Sequence, residues 1–185
     1  MNRLWTSISA SAAVAVLATT ASAYTNDNVT FAGSVGTGAS VSYMAVDFGT
    51  PTGSYAFKYF FDGPKTAADM LLALDSGIPG LEISSFDFGG GAIFVDTFAY
   101  PPNPTTGGVG QYWSYWLGNG QNWEYSQVGA GQRNLANGDW DGWSYVPSFT
   151  ATAEIPRIPG VPEPSSILAL AGMVTSSLFF LGKRG

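Results

Sequence analysis

Residues 161–185, VPEPSSILALAGMVTSSLFFLGKRG, limit what this chain can become more than any other stretch. Pro162 and Pro164 fix φ and lack an N–H, so residues 161–164 read as extended backbone that joins neither a helix nor a central strand. Ser165 and Ser166 offer an N-cap, and residues 167–182 carry no charge. As a helix, residues 165–182 would be about 27 Å long, close to a bilayer core of about 30 Å. Lys183 and Arg184 end the run, and cations after an apolar span favour the cytoplasmic side. A transmembrane helix followed by a basic tail, residues 183–185, is therefore expected, with everything before Pro162 outside.

The other end carries an export pattern. Arg3 supplies a positive start, residues 8–18 an apolar middle, and Ala21, Ser22 and Ala23 a small-residue cleavage site. Residues 1–23 thus read as a signal peptide whose removal leaves Tyr24 first. The order of parts in the tail, Val161-Pro162-Glu163-Pro164, then an apolar run over 167–181, then Lys183 and Arg184, resembles the PEP-CTERM sorting signal of bacterial surface proteins. Its basic end is shorter than in many members. The resemblance implies a partner, the exosortase, a membrane-embedded protease and transpeptidase-like enzyme acting near the Pro-Glu-Pro. It further implies an inner-membrane anchor before processing. The destination would be the cell surface or the extracellular polysaccharide (biofilm) matrix of a Gram-negative bacterium.

What remains is one domain, residues 24–153, and a spacer, residues 154–164 (EIPRIPGVPEP), whose four prolines and lack of periodicity predict a semi-rigid linker. The chain has no cysteine and no histidine. That removes disulfides, thiolate and imidazole metal sites, and the Ser-His-Asp triad together. Residues 24–160 hold four cations (Lys58, Lys65, Arg133, Arg157) against twelve acids, a formal charge of −8. Such a balance excludes nucleic acid as a partner.

Strand patterns fill the domain. Residues 29–35, 41–48 and 55–61 are rich in Val, Tyr and Phe between Gly, Thr and Pro. The nearly continuous aromatic run 55–61 (YAFKYFF) predicts a central strand buried on both faces. Residues 81–88, 92–100, 112–117, 123–128 and 140–146 read as further strands. One helix interrupts them over 66–76: Thr66 and Asp69 stand at capping-box spacing, Met70, Leu71 and Leu74 form an apolar stripe, and Gly77 stops it. The expected class is α+β, a mainly antiparallel sheet with one packed helix, β-grasp-like or sandwich-like.

The landmarks of the central region resemble the β-grasp-like domain that ends eukaryotic cobalamin carriers and recurs in bacterial surface proteins. The matching stretches are the helix 67–74, GGGAIFVDTFAY (89–100), YWSYWLGNG (112–120), and residues 128–145 with Leu135, Gly138, Asp139 and Trp143. A companion helical domain is missing, and Ala99-Tyr100-Pro101 stands where an Asn-Gly usually occurs. The resemblance therefore implies the fold and not cobalamin binding; no cofactor is expected.

Chemistry-bearing residues concentrate late in the domain. Alternation along 112–116 puts Tyr112, Ser114 and Trp116 on one face and Trp113 and Tyr115 on the other. One face fills the core, and an open one would offer rings for a polysaccharide; Trp113, Trp116, Trp123 and Trp143 are the candidates. Asn137, Asp139 and Asp141, followed by Gly142, space three oxygen side chains like the start of a calcium loop. Ser148 stands where the bidentate Glu belongs, and a Gly-Asp turn explains the same residues. Gly89, Gly90 and Gly91 lack the Lys-Ser/Thr of a phosphate loop and suit a bend. Asp87, Asp96, Glu124, Asp139 and Asp141 form a carboxylate pool, but nothing in their spacing selects a catalytic pair. A non-enzymatic exported surface protein leads, with a polysaccharide-binding module second and a glycan-acting hydrolase third.

Overall fold

The computed structural model describes residues 26–50, 52–119 and 122–160. The signal-cleavage residues Ala21, Ala23 and Tyr24 lie outside them. So do the 165–182 segment and the sorting residues Val161, Pro162, Glu163, Pro164, Lys183 and Arg184. Among the described residues no helix is long and apolar enough to cross a membrane.

After a 3-10 turn at Asn26–Asn28 come β1 (Phe31–Gly36), β2 (Ser40–Asp47), β3 (Ser54–Phe61) and α1 (Ala67–Gly77). Then follow β4 (Glu82–Asp87), β5 (Ile93–Tyr100), β6 (Asn103–Gly107), β7 (Tyr112–Gly118), β8 (Trp123–Tyr125), a 3-10 turn at Ala130–Gln132, and β9 (Trp140–Val146). Six strands form one sheet in the order β1-β3-β2-β9-β7-β8; β4-β5-β6 form a second. The α+β expectation holds, but the large sheet is mixed. β2 and β3 make a hairpin paired along all eight residues, while β1 runs parallel to β3 and β2 runs parallel to β9. β6 escapes a reading by composition, because Asn103-Pro104 signals a turn; it survives at an outer position where a missing N–H is tolerated.

The helix forms as its cap dictates. Thr66 Oγ1 accepts from the Asp69 N–H at 3.2 Å, and the Thr66 N–H donates to Asp69 Oδ2 at 2.7 Å. Ala67, Met70, Leu71 and Leu74 are buried, the stripe read from the sequence plus one alanine. Gly77 does not stop the helix but is its last residue. A Cβ there would fall 2.6 Å from Val35 Cγ1, so the glycine lets α1 lie against β1.

The inner face of the large sheet, with Met44, Val46, Phe57, Trp113 and Trp143, packs against α1 and against Val95 and Phe98 of the small sheet. β3 is an interior strand, yet its two faces differ. Phe57, Tyr59 and Phe61 are buried inward, whereas on the second face Ala56 is buried and Lys58 is only half-buried over the Phe31 ring, 4.2 Å from its centroid. The second face holds a smaller cluster of Tyr43, Ala45, Ala56 and Trp140, with Phe31, Val41, Trp123 and Ile158 against it.

Residues 154–160 cover that second face and are not a free spacer. Ser144 Oγ donates to the Glu154 carbonyl, and the Thr30 N–H donates to the Pro159 carbonyl at 3.1 Å. Gly142 has no side chain beneath Pro156; a Cβ there would lie 2.5 Å from Pro156 Cγ. Arg157 fastens the centre, donating to Asp47 Oδ2 from both its backbone N–H (2.9 Å) and Nε (2.8 Å), and from Nη1 to Thr50 Oγ1 at 3.0 Å. The prolines are compatible with this docking because a strap held by carbonyls and one side chain needs few N–H donors of its own.

Removing the charge of Asp47 should release the strap. Asp47→Asn is expected to lose about 2–3 kcal/mol of stability and to expose the Arg157–Ile158 bond. Limited trypsin digestion followed by mass spectrometry should show that bond cut far faster than in the parent protein. Equal cleavage rates would mean that residues 154–160 are not held.

Candidate functional site

β7 places its side chains as alternation requires. Trp113 and Tyr115 point into the main core, and Ser114 and Trp116 to the second face. Trp113 meets Phe98 edge-on at 4.7 Å, and its Nε1 donates to the Thr106 carbonyl at 2.9 Å. Trp143 stacks on Tyr115 at 4.5 Å with planes 9° apart. At 6% and 1% exposure Trp113 and Trp143 have no ring face to offer a polysaccharide. Packing in an aromatic, glycine-rich core accounts for both, so neither can bind a polysaccharide as the sequence led one to expect.

Trp116 and Trp123 are half-buried on the second face. Trp123 lies over two glycines: a Cβ at Gly118 would be 2.7 Å, and one at Gly142 2.8 Å, from its ring. Trp116 donates from Nε1 to Ser114 Oγ at 2.9 Å and meets its cross-strand partner Tyr125 at 5.2 Å. Tyr112, at the start of β7, stacks with Phe149 at 5.9 Å and 9°. Burial, and next the nearby Tyr112, hold the Tyr125 phenol above its ordinary pKa. Phe149, which no strand pattern explains, is the ring that reasoning from strands passes over; its isolation among Pro, Ser and Thr was the available signal.

The three calcium candidates go to three separate tasks. Asn137 Oδ1 accepts from the Val41 N–H at 2.9 Å. Asp139 Oδ2 accepts from the Ala136 N–H at 2.7 Å and pairs with Arg133 Nη2 at 2.7 Å. Asp141, fully buried, accepts from the Tyr115 hydroxyl, with Arg133 Nε 3.8 Å away. Gly138 takes φ +91° at the turn between Asn137 and Asp139, so the segment is a Gly-Asp turn leading into β9. Among the described residues no group of three His, Cys, Asp or Glu side chains is placed to hold a metal.

Arg133 does draw two of the pooled carboxylates together, Asp139 and Asp141, but Asp141 is sealed from solvent and no substrate bond reaches it. Asp87 caps the following loop, accepting from the Gly89 N–H at 2.7 Å, and Glu124 is exposed on β8. Burial, only partly opposed by the Tyr115 hydrogen bond and Arg133, pushes Asp141 up to about 6. Burial likewise raises Tyr115 far above its usual range. The buried Oδ2 of Asp141 and Nε of Arg133 have no hydrogen-bond partner, an arrangement that penalises the ionised carboxylate.

A raised carboxylate pKa has a definite sign. Between the unfolded value of about 3.9 and a folded value of about 6, the native state binds more protons, so this group adds stability as pH falls. Lowering the pH from 7 to 4 should therefore gain on the order of 2–3 kcal/mol from Asp141. Asp141→Asn keeps an acceptor for Tyr115 and removes the titration. The melting temperature of the variant minus that of the parent should fall from pH 7 to pH 4, measured by circular dichroism. A constant difference would place the Asp141 pKa in the ordinary range.

No protein-family model, curated protein or solved structure matches this chain.

Proposed function

We propose that this chain is an exported, non-enzymatic surface or matrix protein, delivered by a PEP-CTERM-type tail to an exosortase. What supports this is the pattern of the two ends of the sequence together with one contact: the two ends of the described domain, residues 26–160, meet at one place. Thr30 N–H donates to the Pro159 carbonyl, and Gly160 lies against the Asn28 backbone. Both tails therefore leave the domain side by side. The four residues 161–164 reach at most about 14 Å, so a helix at 165–182 would hold the domain close against the membrane.

A β-grasp-like module suits that role, and the strand order supports it over a sandwich. β3-β2-β9-β7-β8 has a parallel central pair, a first hairpin, and the helix immediately after that hairpin. β1 adds an outer strand. Three of the five carboxylates of the pool, Asp87, Asp139 and Asp141, serve a loop cap, a turn and a buried pair, which favours a non-catalytic role.

Intact mass of the protein recovered from the cell surface tests the proposal, with and without the host exosortase. The expected product starts at Tyr24 and ends near Pro162–Pro164, and it disappears when exosortase is deleted. Added mass at the new C-terminus would identify a transferred acceptor. A chain running through Gly185 in both strains would overturn processing and leave a tail-anchored surface domain.

A further inference from the structure

The strap divides the second face of the large sheet into a covered and an open part. Residues 154–160 run from Ser144 on β9 past Asp47 on β2 to Thr30 before β1. The margin formed by β7 and β8 lies beyond β9 and outside this cover. There Tyr112 and Trp116, four residues apart, emerge from the same face about 13 Å from one another. Tyr125, 47% exposed, stands beside Trp116, and Phe149, 74% exposed, lies parallel to Tyr112. We propose that these four rings bind an uncharged polysaccharide chain.

The chemistry of the row selects that class of ligand. A pyranose presents axial C–H bonds on its face and hydroxyls around its rim; tyrosine presents an apolar face and a hydroxyl at its edge. Two of the four rings are tyrosines, and beside them the exposed Gln127 donates from Nε2 to the Tyr125 carbonyl. Charge argues for an uncharged chain. The four cations of the domain are all placed elsewhere: Lys58 over Phe31, Lys65 beside Asp69, Arg133 with Asp139 and Asp141, Arg157 with Asp47. An anionic polymer would meet no counter-charge there. Trp116 is also held in advance, since its Nε1 is tied to Ser114 Oγ and Ser114 to the buried Ser144. Little side-chain freedom is lost on binding. The cluster of Phe86, Phe88 and Phe94 on the β4–β5 hairpin is as exposed, but its rings carry no polar atom, so the same argument does not apply to it.

The test is titration of the full chain with cellohexaose, xylohexaose and mannohexaose, followed by calorimetry and by tryptophan emission. Saturable binding of at least one is expected, with polygalacturonate failing to compete. Tyr125→Ala and Phe149→Ala should each weaken that binding about ten-fold, with the melting temperature unchanged for Phe149→Ala, whose ring is largely exposed, and only slightly lowered for the half-exposed Tyr125; Leu72→Ala, on an exposed face of α1, should have no effect. No saturation by any of the three at millimolar concentration overturns the proposal, as does binding that survives both variants. Light scattering covers the rival occupant. A dimer that Tyr125→Ala or Phe149→Ala converts to monomer would assign the row to a second copy of this chain and also overturn it.

Discussion

The parallel pairing of β2 with β9 is the constraint on which the rest of this structure depends. Parallel neighbours cannot be joined by a tight turn, so the chain between them has to cross over and find cover of its own. Here that crossover includes β3, α1, the whole small sheet and the β7–β8 ribbon. The register Tyr43↔Trp140 to Asp47↔Ser144 then fixes which side of β9 faces which layer. Trp143 enters the main core and Trp140 the cluster on the opposite face. A one-residue slip would exchange those two indoles and push Asp141 out of its contact with Tyr115, so aromatic packing and the buried polar pair enforce one register together.

The two faces of the large sheet are completed by different means. Inside, α1 and the small sheet supply apolar side chains and close a conventional core. Outside, a seven-residue strap does the same with two prolines, an isoleucine and an arginine. Its hold explains Asp47, a nearly buried carboxylate at the end of β2 that would be costly alone and is satisfied by Arg157. Asp141 on the inner face shows the opposite outcome. Its neighbour Arg133 is shared with Asp139 and reaches it only at 3.8 Å, so desolvation dominates and the carboxyl favours its proton. The two buried aspartates of the sheet thus have different partners, one cation aimed at a single carboxylate and the other shared between two.

Local signals were legible where local physics decides. The Thr66–Asp69 cap, the stripe through Met70, Leu71 and Leu74, and the alternation of β7 all follow from neighbours in sequence, and the structure agrees with each. Three features were not legible, for one shared reason. Residues 154–160 read as a spacer because the contacts that fix them, with Asp47 and Thr30, lie far away along the chain. Asn137, Asp139 and Asp141 match a calcium loop in spacing, yet Asp141 belongs to a strand whose partner β7 offers it Tyr115. Trp113 and Trp116 occupy opposite faces of one strand, and only the layers packed on them decide which ring is sealed. Gly77 makes the same point from the side of backbone: it was placed at a helix end, but its role is to clear Val35 on β1.

Strand order also links the tether to the open aromatic margin. The two ends of the domain meet beside the start of β1, at one edge of the six-stranded sheet, and β8 is at the other. Five strand spacings separate them, about 24 Å. Under the tethered arrangement proposed above, the β1 edge faces the membrane, and Tyr112, Trp116, Tyr125 and Phe149 stand at the edge farthest from it. The strap serves both ends of that geometry. By lying across β9, β2, β3 and β1 it carries the chain from the aromatic side of the sheet back to the side where the two ends meet, and by stopping short of β7 it leaves Tyr125 and Phe149 exposed. A free linker would let the domain tumble on its anchor. Under the proposed tether, a docked strap would limit that tumbling and turn the aromatic margin outward.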